Sequence, residues 1–155
     1  MRTLTLCAAL LLISARALSQ NAAERSAIEK AVLEVNGRMT SAAEAGDIDR
    51  LFSFMLPNDQ GSIAQSGVLF LTREVAHDSV KRNFAAVQKV EYRWKHRMVT
   101  VISADTAILV ADGESEATLA GGATVSTPFA QTVIFVRTDS GWKALHAHQS
   151  TSPRR

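Results

Sequence analysis

Trp142-Lys143-Ala144-Leu145-His146-Ala147-His148-Gln149-Ser150 reads as the last β-strand of the chain. Successive side chains of a strand point to opposite faces. Strict alternation puts Trp142, Ala144, His146, His148 and Ser150 on one face, with Lys143, Leu145, Ala147 and Gln149 on the other. An aromatic, two imidazoles and a hydroxyl in one row make this the strongest candidate for chemistry in the sequence. Such a row needs a sheet to belong to, and the residues before it supply one.

From Val90 the apolar period is two: Val90, Tyr92, Trp94, His96 and Met98 alternate with Glu91, Arg93, Lys95 and Arg97. The pattern turns continuously apolar at Val99-Thr100-Val101-Ile102, and a β-bulge near residues 98 and 99 would account for the change of face. Ala104-Asp105 reads as a turn, 106–117 as a strand, 119–123 as a second turn, and 124–137 as a long strand. Asp139-Ser140-Gly141 is a tight hairpin turn into the last strand. Strands joined by tight turns are antiparallel.

Upstream the period is helical. Residues 21–45 carry Ile28, Val32, Val35, Met39 and Ala42 on one stripe, with Asn21 and Glu24 spaced like a capping box. Gly46 suits the helix end, and Asp47 caps a short helix that buries Ile48, Leu51, Phe52 and Met55. Turn residues fill 57–61, and 62–71 reads as a small hairpin. Thr72 caps a third helix over 73–88, with Ala76, Val80, Phe84 and Val87 on its stripe. Helices segregated from strands make an α+β domain: a cone-shaped, curved antiparallel sheet packed against three helices, with a cavity expected on the concave side.

The chain has 155 residues, enough for one domain. Met1-Arg2, the apolar run 4–13 and the small residues Ala17 and Ser19 have the pattern of a signal peptide over 1–19, leaving the domain as 20–155. The run is too short for a span of about 20 residues, so no stable membrane anchoring is expected after cleavage. Arg2, Arg16 and Cys7 go with the leader, and the remainder is charge-neutral and free of cysteine. A neutral chain without a clustered basic face does not fit nucleic-acid binding. The expected location is secreted or periplasmic, with stability resting on the core rather than on disulfides.

Four segments carry a resemblance. They are Ala45-Gly46-Asp47-Ile48-Asp49-Arg50-Leu51-Phe52; Gly67 to Glu74 and on to Phe84; Ser103-Ala104-Asp105-Thr106-Ala107; and Asp139-Ser140-Gly141-Trp142-Lys143 followed by His146, His148 and Ser150. In this order they resemble the nuclear transport factor 2-like superfamily, most closely its SnoaL-like and ketosteroid-isomerase-like branch. The final W-x-x-x-H-x-H-x-S is also similar to the end of the association domain of a calmodulin-dependent kinase, of the same superfamily. The resemblance covers about residues 22–152 and implies the fold. It does not imply one function, because this superfamily hosts isomerases, dehydratases, cyclases and non-catalytic binding or assembly domains.

The candidate pocket residues are Tyr92, Trp94, His96, Gln131, His146 and His148. Imidazoles titrate near neutral pH and suit proton transfer. Tyr92, Trp94 and His96 would make an aromatic wall with polar handles, and Gln131 in a buried strand needs a partner. Each also has a plain reading as a core, rim or dimer-face residue. Asp112 reads as a solvated charge. Two imidazoles at i and i+2 could share a metal with His96 or His77, but catalytic zinc takes three protein ligands and nothing fixes the third. No metal and no cofactor are therefore assigned. Ketosteroid isomerases carry their catalytic acid on the strand before the third helix. Here no Asp or Glu lies between Asp59 and Glu74, and Gln65 cannot abstract a proton. The expectation is an exported homodimer, paired through the outer sheet face, whose cavity binds a small, partly apolar molecule without catalysis. A small acid–base enzyme using His148 or His146 is the alternative.

Overall fold

The computed structural model describes residues 4–57 and 63–151, with side chains from Asn21 onward. In chain order it contains α1 (Leu4–Glu44), α2 (Ile48–Ser53), β1 (Ile63–Gln65), β2 (Val68–Phe70), α3 (Arg73–Phe84), β3 (Val87–Ser103), β4 (Thr106–Leu119), β5 (Thr124–Thr138) and β6 (Gly141–Thr151). The expected turn at 58–61 and the tail at 152–155 lie outside the described residues.

The helix ends follow from local chemistry. Gly46, at φ 69°, ends α1, and the Asp47 N–H returns to the Ala42 carbonyl at 2.9 Å. Asp47 then caps α2, its carboxylate accepting from the Arg50 N–H at 2.9 Å. Thr72 caps α3 through its hydroxyl and the Val75 N–H. The start of α1 differs from expectation. No glycine or proline interrupts residues 4–20, so the helix continues upstream of Asn21, which sits in its interior. The third helix stops at Phe84 rather than near 88, because β3 already begins at Val87.

The six strands form one open, curved sheet in the order β2-β1-β6-β5-β4-β3. A wholly antiparallel sheet was expected. Every pairing is antiparallel except β1 with β6, which is parallel. That junction has no tight turn to force the antiparallel sense. The chain leaving α2 runs beside β6, with the Leu56 N–H bonded to the Ala144 carbonyl and the Ala144 N–H to the Phe54 carbonyl, both at 2.9 Å. This delivers β1 to the edge of β6. Ser66 and Gly67, both at positive φ, then turn the chain into β2 as a two-residue hairpin loop.

Two irregularities decide which side chains face inward. On β3, Trp94 pairs with Gly113 and His96 with Asp112, so Lys95 is the extra residue of a bulge. On β6, His146 pairs with Ile134 and Ala144 with Phe135, so Leu145 is extra. The bulge expected at 98–99 is thus found at Lys95. Gly113 is tied to it, because a Cβ there would collide with the Arg93 carbonyl oxygen.

The three helices lie on the concave face. The α1 stripe of Ile28, Val32 and Val35 joins Phe52, Leu109, Phe135, Trp142 and Ala144 in one buried cluster. Arg25 ties α1 to the edge strand by donating to the Val101 carbonyl at 3.1 Å. Among the described residues no helix is long and apolar enough to cross a membrane.

Candidate functional site

The concave face changes character along its strands. Ala107, Phe135 and Ala144 pack solidly in one cross-strand row. Farther on, the inward positions of three neighbouring strands are glutamines: Gln65 pairs with Gln149, and Gln149 with Gln131. Neighbouring side chains in such a row stand about 5 Å apart. Gln65 Nε2 donates to Gln149 Oε1 at 2.5 Å, locking the two amides together. Beyond the row stands an aromatic group. Trp94 and Tyr92 lie near-parallel at 6.4 Å between ring centroids, and Phe129 meets both edge-on, at 5.3 and 5.9 Å.

Between this surface and the helices is a cavity of about 170 Å³. Its floor holds the three glutamines, Tyr92, Trp94 and Ala147; Asn36, Thr40 and Ala43 of α1 close it, with Phe52 of α2 and Phe84 of α3 among the walls. Asn36 is only 3% exposed, and its Oδ1 has no hydrogen-bond partner among the described residues. The Thr40 hydroxyl donates to the Asn36 carbonyl one turn back, at 3.0 Å. Tyr92 is held by its backbone N–H, which donates to Glu44 Oε1 at 2.9 Å. Burial, with the Glu44 charge nearby, raises its phenol above the ordinary value, so it stays protonated.

Tyr92, Trp94 and Gln131, expected at a pocket, line this cavity together. His96, His146 and His148 do not. Ala147 and Gln149 face the cavity, while Trp142 and Ala144 are buried in the core. The extra residue Leu145 inverts the alternation between these pairs, so His146 and His148 take the convex face. Lys95 does the same on β3: Tyr92 and Trp94 point inward, and His96 points out with its side chain 76% exposed. His96 Nδ1 there meets Asp112 Oδ1 at 2.8 Å.

Asn36 and Gln149 escaped the sequence reading. Asn36 sits four residues after Val32, inside the apolar stripe, and a polar residue there is a signal that could have been used. Gln149 carried none, because strict alternation put it on the far face.

The remaining imidazole lies outside the cavity. His77 Nε2 meets Asp49 Oδ1 at 2.7 Å, and Lys81 donates to both oxygens of that carboxylate at 3.1 Å. The His77 ring packs edge-on against Phe52 at 5.1 Å. This cluster ties α2 to α3, two walls of the cavity. Among the described residues no group of three or more His, Cys, Asp or Glu could hold a metal ion.

A model of the SnoaL-like domain family matches residues 32–154. The chain belongs to the SnoaL-like family. The solved structures similar to this SnoaL-like domain share its fold at low identity. A nuclear transport factor 2-like superfamily protein from Salmonella enterica is 13% identical, covering 84% of this chain and 94% of its own, with a TM-score of 0.76. A candidate dehydratase of the NTF2-like family from Streptomyces avermitilis is 23% identical over 81% of this chain and 96% of its own, at 0.71. A hexachlorocyclohexane dehydrochlorinase from Novosphingobium barchaimii is 16% identical over 84% and 90%, at 0.68. A comparison with curated protein sequences finds no match.

Proposed function

We propose that this SnoaL-like domain is an exported binding module whose cavity holds a small, partly apolar molecule without transforming it. The observation that carries this reading is the lining: aromatic and aliphatic walls around four carboxamides, a hydroxyl and a phenol, with no carboxylate or imidazole among the described residues. Proton abstraction needs a base with a pKa matched to the task. Carboxamides offer none, and a phenol held protonated can donate but not abstract. The acid–base alternative through His146 or His148 loses its geometry, because both imidazoles lie across the sheet from the cavity.

The convex face supports a second part of the proposal, pairing with another copy of this chain. Met98, Ile102 and Val110 are 67%, 58% and 47% exposed there. The rows Met98-Val110-Thr132-His148 and Thr100-Ile108-Ile134-His146 carry no carboxylate, lysine or arginine. An apolar strip of this kind can face its own two-fold copy without like-charge repulsion. Val110→Glu then shifts a dimer to folded monomer in sedimentation. Export predicts that the protein recovered outside the cytoplasm begins near Gln20 by mass spectrometry.

The cavity is tested by a thermal-shift screen of the mature protein against small, partly apolar metabolites. Ligands should raise Tm in the parent and fail to do so in Ala147→Leu, which fills the floor. An equal rise in both would place binding elsewhere and overturn the reading.

A further inference from the structure

The three carboxamides in the cross-strand row on the cavity floor are not equivalent. Gln65 Nε2 and Gln149 Oε1 are committed to each other, which leaves Gln65 an acceptor and Gln149 a donor. Gln131 makes no hydrogen bond among the described residues, so its amide oxygen and its amide nitrogen are both unused. Its amide is also within reach of a guest. The polar side-chain atoms that are at once sealed from solvent and unpartnered are Asn36 Oδ1 and Trp142 Nε1. Gln131 is half-buried and is not one of them, so its amide opens onto the cavity it lines. Among the other polar groups of the lining, the Thr40 hydroxyl is spent on the Asn36 carbonyl, and Tyr92 offers a single phenol O–H.

The surroundings of Gln131 limit the shape and charge of a guest. Gln131 stands two residues along β5 from Phe129, on the same strand face, and Phe129 meets the Tyr92 and Trp94 rings edge-on. The near-parallel Tyr92 and Trp94 rings line the cavity and suit a flat skeleton. No lysine, arginine, histidine, aspartate or glutamate is among the described lining residues. An ion entering would lose hydration with no counter-charge to replace it.

We infer that the ligand class is an uncharged, flat ring compound with an N–H and a C=O side by side on one edge, as in a ring lactam, and that this edge pairs with the Gln131 carboxamide. This rests on the ligand-cavity reading above and deepens it. A carboxamide presents a donor and an acceptor side by side. A lactam edge presents the complementary pair in the plane of its ring, so the two close on each other with two hydrogen bonds. Turning the ring over matches either orientation of the amide. A lactone of the same shape keeps the C=O but brings no proton, and leaves the Gln131 oxygen without a partner.

The test uses the mature protein and four bicyclic probes: 2-quinolinone (the lactam), coumarin (the lactone of the same shape), naphthalene and 2-naphthoate. Kd is read by calorimetric titration at pH 7. In the parent, 2-quinolinone binds about tenfold tighter than coumarin, the effect of one hydrogen bond whose loss strands its partner, and 2-naphthoate binds more weakly than naphthalene. In Gln131→Leu, naphthalene binding persists and the lactam advantage falls below about twofold. Tyr92→Phe and Gln149→Leu retain that advantage. Should Gln131→Leu fail to fold, Gln131→Met is read with the same probes, and the parent series still decides the lactam preference. Equal binding of 2-quinolinone and coumarin, tighter binding of 2-naphthoate than of naphthalene, an advantage that survives in the Gln131 variant, or one lost in Tyr92→Phe or Gln149→Leu overturns this inference and leaves the cavity reading standing. No binding of any probe overturns both.

Discussion

The concave and convex faces of the β3–β6 sheet are built from alternate residues of the same strands, yet their chemistry is different. The concave face carries carboxamides, a phenol and aromatic rings around a cavity. The convex face carries three of the chain's four histidines, Asp112 and a set of exposed aliphatic side chains. Two bulge residues, Lys95 and Leu145, draw the boundary. Each adds one position, and everything after it along the strand changes sides. The lesson is that the character of the cavity is set by where these strands slip by one residue, as much as by which residues they contain.

The difference between the faces can be tested in order of expected effect. Trp142→Ala removes an indole that is 6% exposed in the concave core. Its expected loss is about 3–5 kcal/mol, and a loss under about 1 kcal/mol would mean the indole contributes little packing.

Gly113→Ala tests the bulge at Lys95. The added methyl meets the Arg93 carbonyl, so the paired strands must part, at a cost of about 2–3 kcal/mol. An unchanged midpoint would show that the register at Lys95 has slack. A smaller effect comes from the helix clasp outside both faces. The His77 hydrogen bond, then the Lys81 bond and charge, lower the Asp49 pKa below the ordinary value. A carboxylate depressed in the folded state contributes stability above its unfolded pKa of about 3.9. That contribution is lost as pH falls through the folded value. The Tm gap between the parent and Asp49→Asn should therefore be constant above about pH 5 and shrink below about pH 4; a gap that widened on acidification would contradict the clasp. The smallest effect belongs to His148→Ala. It should change stability by less than about 0.5 kcal/mol and leave any ligand-induced rise in Tm intact, because the imidazole faces away from the cavity. Loss of the ligand response would return this histidine to the site.

Much of the fold was legible because its signals are local. The stripe from Ile28 to Ala42, the caps at Asp47 and Thr72 and the period-two run from Val90 each declare an element within a few residues. Tyr92 and Trp94 could be placed together because no bulge separates them. His96 could not be placed with them, because Lys95 does, and a bulged lysine looks like any other exposed lysine in a strand. The parallel pairing of β1 with β6 was hidden for a similar reason, since it depends on a route taken by the chain after α2 rather than on a turn.

The sequence by itself determined the α+β class, the order of helices and strands, and most of their caps and turns, since these rest on periodicity and on hydrogen bonds between near neighbours. Only the tertiary structure decided which face each side chain serves. That choice depends on inter-strand register, and register is settled by pairing partners far apart in the chain. Three glutamines and Asn36 meet around one cavity while the imidazoles are turned away because the whole sheet, with its two inserted residues, packs best that way over α1.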